Sequence, residues 1–193
     1  SPASSTCWGC CMPVSPEVVE NPIDATLARR VRLLVLDVDG VLTDGRLLYG
    51  NKGEELKAFN IRDGLGIKLL QRAAIDVAII TGRQSDIVRR RAQELGIERV
   101  IQGREDKHGA LEELCREVGL SLQDCAYMGD DLPDVTAIRA AGCGLTVAGA
   151  CVAAAEAAQW QSRHGGGEGA VREACESLLV ARGEWASIEK SFL

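Results

Sequence analysis

Val31-Arg32-Leu33-Leu34-Val35-Leu36 is a near-continuous apolar run that stops at Asp37. A strand that is apolar on both faces belongs inside a parallel sheet covered on both sides, because a strand with one wet face alternates instead. The pattern recurs along the chain. Residues 75–80 predict a second buried strand, 100–102 a short third, 126–128 a fourth and 144–147 a fifth. Between them the apolar spacing predicts helices over 63–74, 85–95, 107–118 and 132–141. Two more, over 153–158 and 170–181, lie on either side of Gly165-Gly166-Gly167. Strands alternating with helices specify an α/β fold, a parallel sheet with helices on both faces. One segment breaks the alternation. Arg46 to Tyr49 and Glu54 to Asn60 flank Gly50-Asn51-Lys52-Gly53, which reads as a β-hairpin, too small to form a cap domain.

At 193 residues the chain is expected to form one domain with a real core. The boundaries read as a flexible leader over 1–30, ending in a short helix, a domain over 31–182 and a tail over 183–193. A net charge of −6 argues against a nucleic-acid partner. It leaves room for a phosphorylated substrate, since a metal ion and a few local cations bind phosphate inside an acidic protein. No apolar run approaches the ~20 residues of a membrane span. No basic start followed by an apolar stretch marks a secretory signal, so the expected location is the cytoplasm. Of the eight cysteines, Cys115, Cys125, Cys143, Cys151 and Cys175 sit in apolar or helical contexts, where cysteine acts as a small buried hydrophobe. Cys7, Cys10 and Cys11 could form half a zinc site or a redox pair. No second ligand pair with suitable spacing follows, which favours an incidental leader.

In a parallel sheet ligands bind beyond the carboxyl ends of the strands. Strand one ends in Asp37-Val38-Asp39-Gly40, strand two in Thr81-Gly82-Arg83. The third leads into Gly103-Arg104-Glu105-Asp106-Lys107, and the fourth into Gly129-Asp130-Asp131-Leu132-Pro133-Asp134. Singly these are weak signals. Asp-x-Asp is common in turns, Thr-Gly often ends a strand, Lys107 suits a solvated helix start, and Gly-Asp-Asp suits a turn with a helix cap. Four polar clusters in order on one rim are hard to explain by stability alone.

Together they make a phosphoryl-transfer site. Crowded carboxylates repel, and a hard divalent cation such as Mg²⁺ neutralises them through oxygen ligands. Asp37, Asp39 (with its main-chain carbonyl available as well) and Asp130 are the expected metal ligands, with Asp131 and Asp134 holding metal-bound waters. Asp37 is the expected nucleophile. Asp39 is the expected proton donor to the leaving oxygen and then the base for water. The Thr81 hydroxyl and Gly82 amide would bind phosphoryl oxygens, and Lys107 would supply positive charge.

The same motifs resemble those of the haloacid dehalogenase-like (HAD) phosphatases, whose Rossmann-like fold the resemblance therefore implies. Over about 31–179 the likeness narrows. Asp37 to Gly45, Gly53 to Gly64, Ile79 to Arg83 and Gly169 to Glu173 are similar to segments of the 3-deoxy-D-manno-octulosonate 8-phosphate (KDO-8-phosphate) phosphatases. That resemblance implies a small cap-less enzyme of lipopolysaccharide precursor synthesis. It also implies a homotetramer, in which the hairpin and C-terminal segment of neighbouring subunits close the site. It adds Arg83 and Arg91 as cations for the substrate's phosphate or carboxylate. The chain departs from the family pattern at Gly149-Ala150-Cys151-Val152 and Ala158-Gln159-Trp160, and has an acid, Glu168, in its Gly-Gly-x-Gly segment.

Three rivals remain. A phosphatase for a nine-carbon nonulosonate 9-phosphate would share the catalytic core. A non-catalytic domain of a sugar-nucleotide synthetase commonly loses its carboxylates, whereas Asp37, Asp39, Lys107 and Asp130 are all present. A signalling receiver usually carries its phosphoacceptor on a later central strand.

Overall fold

The computed structural model describes residues 21–53 and 55–193. The expectations for Cys7, Cys10 and Cys11, and for most of the leader, lie outside the described residues. Six parallel strands form one sheet in the order β5-β4-β1-β6-β7-β8. They are β1 Leu33–Leu36, β4 Asp76–Thr81, β5 Arg99–Gln102, β6 Cys125–Gly129, β7 Cys143–Thr146 and β8 Trp160–Gln161. A separate antiparallel pair, β2 Leu48–Tyr49 and β3 Glu55–Leu56, is the expected hairpin.

β1 is central and buried along its whole length, with β4 and β6 as its neighbours. Its side chains alternate between two cores. Leu34 and Leu36 face α1 Ala25–Arg30, α2 Ile61–Arg72, α3 Asp86–Leu95 and α7 Ala170–Ala181. Leu33 and Val35 face α4 Lys107–Val118, α5 Val135–Ala140 and α6 Val152–Ala157. Each fully buried Leu or Ile stabilises by about 1.5–3 kcal/mol against an exposed one. This is why β1, with no polar side chain from Leu33 to Leu36, takes the middle of the sheet.

The structure departs from the sequence reading in five places. The short helix expected at the end of the leader is present as α1, but the stretch 21–30 is packed onto the domain rather than loose. Asp24 caps α1 through Thr26 N (2.8 Å), and Ile23 and Ala28 are buried in the core. α2 starts at Ile61 rather than 63, because the Asn60 side chain accepts from Arg62 N (2.8 Å) and opens the helix. The helix expected from 132 is first a 3-10 turn over Leu132–Asp134, with Pro133 inside it, and becomes α-helical only at Val135. Trp160-Gln161 adds a sixth strand, and the tail contains α8 Trp185–Lys190, on which the Arg172 guanidinium stacks over the Trp185 ring (5.8 Å).

Candidate active site

The parallel register brings four strand ends level. Leu36 pairs with Ile79 and Met128, and Thr81 pairs with Gln102. The residues that follow line a cleft of about 760 Å³, among them Asp37, Asp39, Thr81, Gly82, Lys107 and Asp130. Asp37, Asp130 and Asp134 each place an oxygen within 4.8 Å of the others.

Lys107, the first residue of α4, is buried against this cluster. Its Nζ lies 2.8 Å from Asp37 Oδ1 and 3.0 Å from Asp134 Oδ1. Burial works against its ammonium, but the two carboxylates outweigh it and raise its pKa. Asp134 is fully engaged by the protein. Its Oδ1 also accepts from the Tyr127 hydroxyl (2.7 Å), and its Oδ2 accepts from the backbone N–H of Asp130 (3.2 Å) and of Asp131 (3.3 Å). Burial, then the Asp134 charge, holds the Tyr127 hydroxyl well above its ordinary pKa, so it remains a donor.

Asp37 is raised to about 6 by burial and by Asp134, and Asp130 to about 7 by burial and by Asp37. Such a set of hard oxygen donors, crowded and short of positive charge, fits a divalent cation. Two glycines make the crowding possible. A Cβ on Gly40 would collide with the Asp130 carboxylate, and one on Gly129 with the Asp134 side chain. Gly40 also has φ +94°, a conformation few other residues adopt.

The loop after β1 is backed by backbone. A Cβ on Gly166 would meet the Gly40 carbonyl, and Gly167 lies against Thr43 and Asp44. Gly167 N donates to Val41 O (3.0 Å), and Asn60 Nδ2 donates to Gly167 O (3.2 Å).

Most expected site residues converge: Asp37, Asp39, Thr81, Gly82, Arg83, Lys107, Asp130, Asp131 and Asp134 all line the cleft. Two expectations change. The Asp39 carboxylate is not in the three-carboxylate group, where Asp134 stands instead; it pairs with Lys57 and lies 3.8 Å from Arg83 Nε. Arg91 does not line the cleft. It stacks over Phe59 (5.7 Å) and donates to Asn60 O (3.4 Å), supporting the start of α2. Asp131 spends Oδ1 as a cap on Leu132 N (2.8 Å). Sequence reasoning missed Lys57, Glu55, Tyr49 and Tyr127. Tyr127 carried a signal, a polar residue in an otherwise apolar strand.

A family model described as haloacid dehalogenase-like hydrolase matches residues 60–142. The KDO-8-phosphate phosphatase KdsC of Salmonella typhimurium is 44% identical over 180 residues, 93% of this chain and 91% of that one. The crystal structure of the Moraxella catarrhalis KDO-8-phosphate phosphatase, in complex with magnesium ion, phosphate ion and KDO, superposes with a TM-score of 0.86. It is 44% identical, covering 88% of this chain and 97% of that one. The cobalt-bound Haemophilus influenzae phosphatase superposes at 0.81 with 39% identity, covering 84% and 95%.

Proposed function

The chain belongs to the KDO-8-phosphate phosphatases of the haloacid dehalogenase-like hydrolases, and we infer that it hydrolyses KDO-8-phosphate to the free sugar acid and phosphate, with Mg²⁺ as cofactor. The observation that carries its chemistry is the Asp37 carboxylate, set at the cleft with Lys107 on one oxygen and Asp130 beside it.

Asp37 and Asp130 would hold Mg²⁺, with the main-chain carbonyl of Asp39, while Asp134 fixes Lys107 and the Asp130 backbone in place. When bound, the ion supplies charge neutralisation and polarises a phosphoryl oxygen. Lys107 holds Asp37 Oδ1 and leaves Oδ2 to attack phosphorus. As that bond forms, the bond from phosphorus to the sugar oxygen breaks, and Asp39 gives that oxygen a proton. Asp39 then takes a proton from water, whose oxygen attacks the aspartyl phosphate. Phosphate leaves, and the Asp37 carboxylate returns. The Thr81 hydroxyl and Gly82 amide bind phosphoryl oxygens, and catalysis is mainly positioning and charge stabilisation.

Arg83, at the mouth of the cleft, suits the carboxylate of the sugar acid. The cleft opens beside the hairpin, where Leu48, Tyr49 and Leu56 are exposed, as is Ile61 at the start of α2. Such a patch favours a second copy of the chain as a cover, in line with a homotetramer. A place in lipopolysaccharide precursor synthesis and in the cytoplasm follows from the same reading, and no described helix is long and apolar enough to cross a membrane.

The test is phosphate release from a panel of phosphorylated sugar acids, with Mg²⁺ and with excess chelator. KDO-8-phosphate is expected to be preferred, and the activity to vanish with chelator and return with Mg²⁺. Preference for a nine-carbon acid would move the substrate to a nonulosonate 9-phosphate, and activity in excess chelator would overturn the metal assignment.

A further inference from the structure

Each aspartate of the Asp37-Val38-Asp39 pair has a buried lysine of its own. Lys107 serves Asp37, and Lys57, from the hairpin, serves Asp39. Lys57 follows β3 directly. Strand alternation puts it on the same side as Glu55 and turns Leu56 outward. Its side chain is only 1% exposed, and its Nζ bridges Asp39 Oδ1 and Glu55 Oε1, the latter at 3.2 Å. Arg83 completes the bracket, with Nε 3.8 Å from Asp39 Oδ2 and Nη2 3.4 Å from Glu55 Oε1. Tyr49 accepts from the same Nη2 at 3.4 Å. Unlike Lys107, Lys57 does not line the cleft, so its ammonium is out of reach of a substrate.

Resting on the roles assigned above to Asp37 and Asp39, we propose that Lys57 is a positioning residue that aims the Asp39 carboxyl at the leaving-group oxygen. The hairpin is thereby part of the catalytic machinery as well as a surface element. Two long side chains of opposite charge, Lys57 and Glu55, fix Asp39 while adding no net charge to an already acidic site. Because Asp39 stands outside the three-carboxylate group, it is left to handle the proton. The proton it delivers matters for an alkoxide leaving group, which departs poorly as an anion. It matters little for p-nitrophenolate, which departs unprotonated.

The experiment compares kcat/KM for KDO-8-phosphate and for p-nitrophenyl phosphate in wild type and Lys57→Met, with saturating Mg²⁺. kcat/KM reports events up to departure of the leaving group, so the later attack of water does not mask the effect. The expected result is a fall of about 10²-fold for the sugar ester, the scale of positioned acid catalysis, with a far smaller fall for the aryl ester. Lys57→Arg, which keeps a cation able to bridge two carboxylates, is expected to recover much of the loss. Should Lys57→Met not fold, the Glu55→Gln/Lys57→Met chain removes both charges of the buried pair and takes the same comparison. Equal losses on the two esters, or no loss on either, would overturn the proposal. Failure of the wild type to hydrolyse either ester with Mg²⁺ would instead strike at the underlying reading.

Discussion

A lysine that opens a helix stands at the wrong end of the helix dipole. Lys107 does so while buried, and the cost is met by Asp37 and Asp134 within 3.0 Å of its ammonium. Asp37→Asn keeps the shape of the side chain and one contact to Lys107, but provides no oxyanion to attack phosphorus. It is expected to abolish phosphate release while leaving the far-ultraviolet circular dichroism unchanged; normal turnover would remove Asp37 from its role. Tyr127→Phe withdraws one of the donors on Asp134 Oδ1, deep under the site. A loss of about 1 kcal/mol in urea unfolding is expected, together with reduced kcat, because Asp134 then holds Lys107 less firmly. The residues at the strand ends were legible because a sharp change from apolar to polar marks them. Lys57 was not, since nothing near it in sequence says that the hairpin folds back to pair with Asp39. Arg91 was suggested by the family resemblance alone; within this chain it does not line the cleft, and the turn of α3 directs it to Phe59 and Asn60.

At the scale of elements, α7 is tied to its surroundings by two acids. Asp63, on α2, accepts from Arg172 N (2.8 Å) in the first turn of α7. Glu173, on α7, accepts from Ser162 Oγ (2.6 Å), Arg163 N (2.9 Å) and Arg163 Nε (2.8 Å) just after β8. Burial would raise Glu173, but the bonds from Ser162 and Arg163 prevail and lower its pKa. A carboxyl lowered on folding stabilises at pH values above its unfolded pKa of about 4.3, and that contribution is lost as pH falls through the folded value. Glu173→Gln is therefore expected to cost about 1–2 kcal/mol at neutral pH. The gap from wild type should close in acid, below about pH 4, in thermal melts taken across the range. A constant gap at all pH values would show that the charge is irrelevant. The buried central strands were legible because they are apolar on both faces. β8 was not, because only Trp160 of its two residues is buried, and it is held from outside the sheet. Asn21 accepts from the Trp160 indole and donates to Gln161 O, each at 2.7 Å.

At the scale of the whole molecule, the cleft is open and the hairpin side chains Leu48, Tyr49 and Leu56 are exposed, and the neighbouring copies proposed above would cover both. Light scattering is expected to give four times the chain mass. Charging the apolar rim by Leu48→Asp and Leu56→Asp should lower that mass and the activity together, and a fully active monomer would detach assembly from catalysis. The glycine loop behind the Asp37 loop bears on how this scaffold can be remodelled. Main chain rests on main chain at Gly166 and Gly40, so the back of the site has no side chain to exchange and tolerates no added atom. Anyone retuning the protein for a different ester is confined to the front, where Glu105 and Pro133 line the cleft outside the Asp39 bracket, while any library that randomises residues 165–167 should return mostly dead clones.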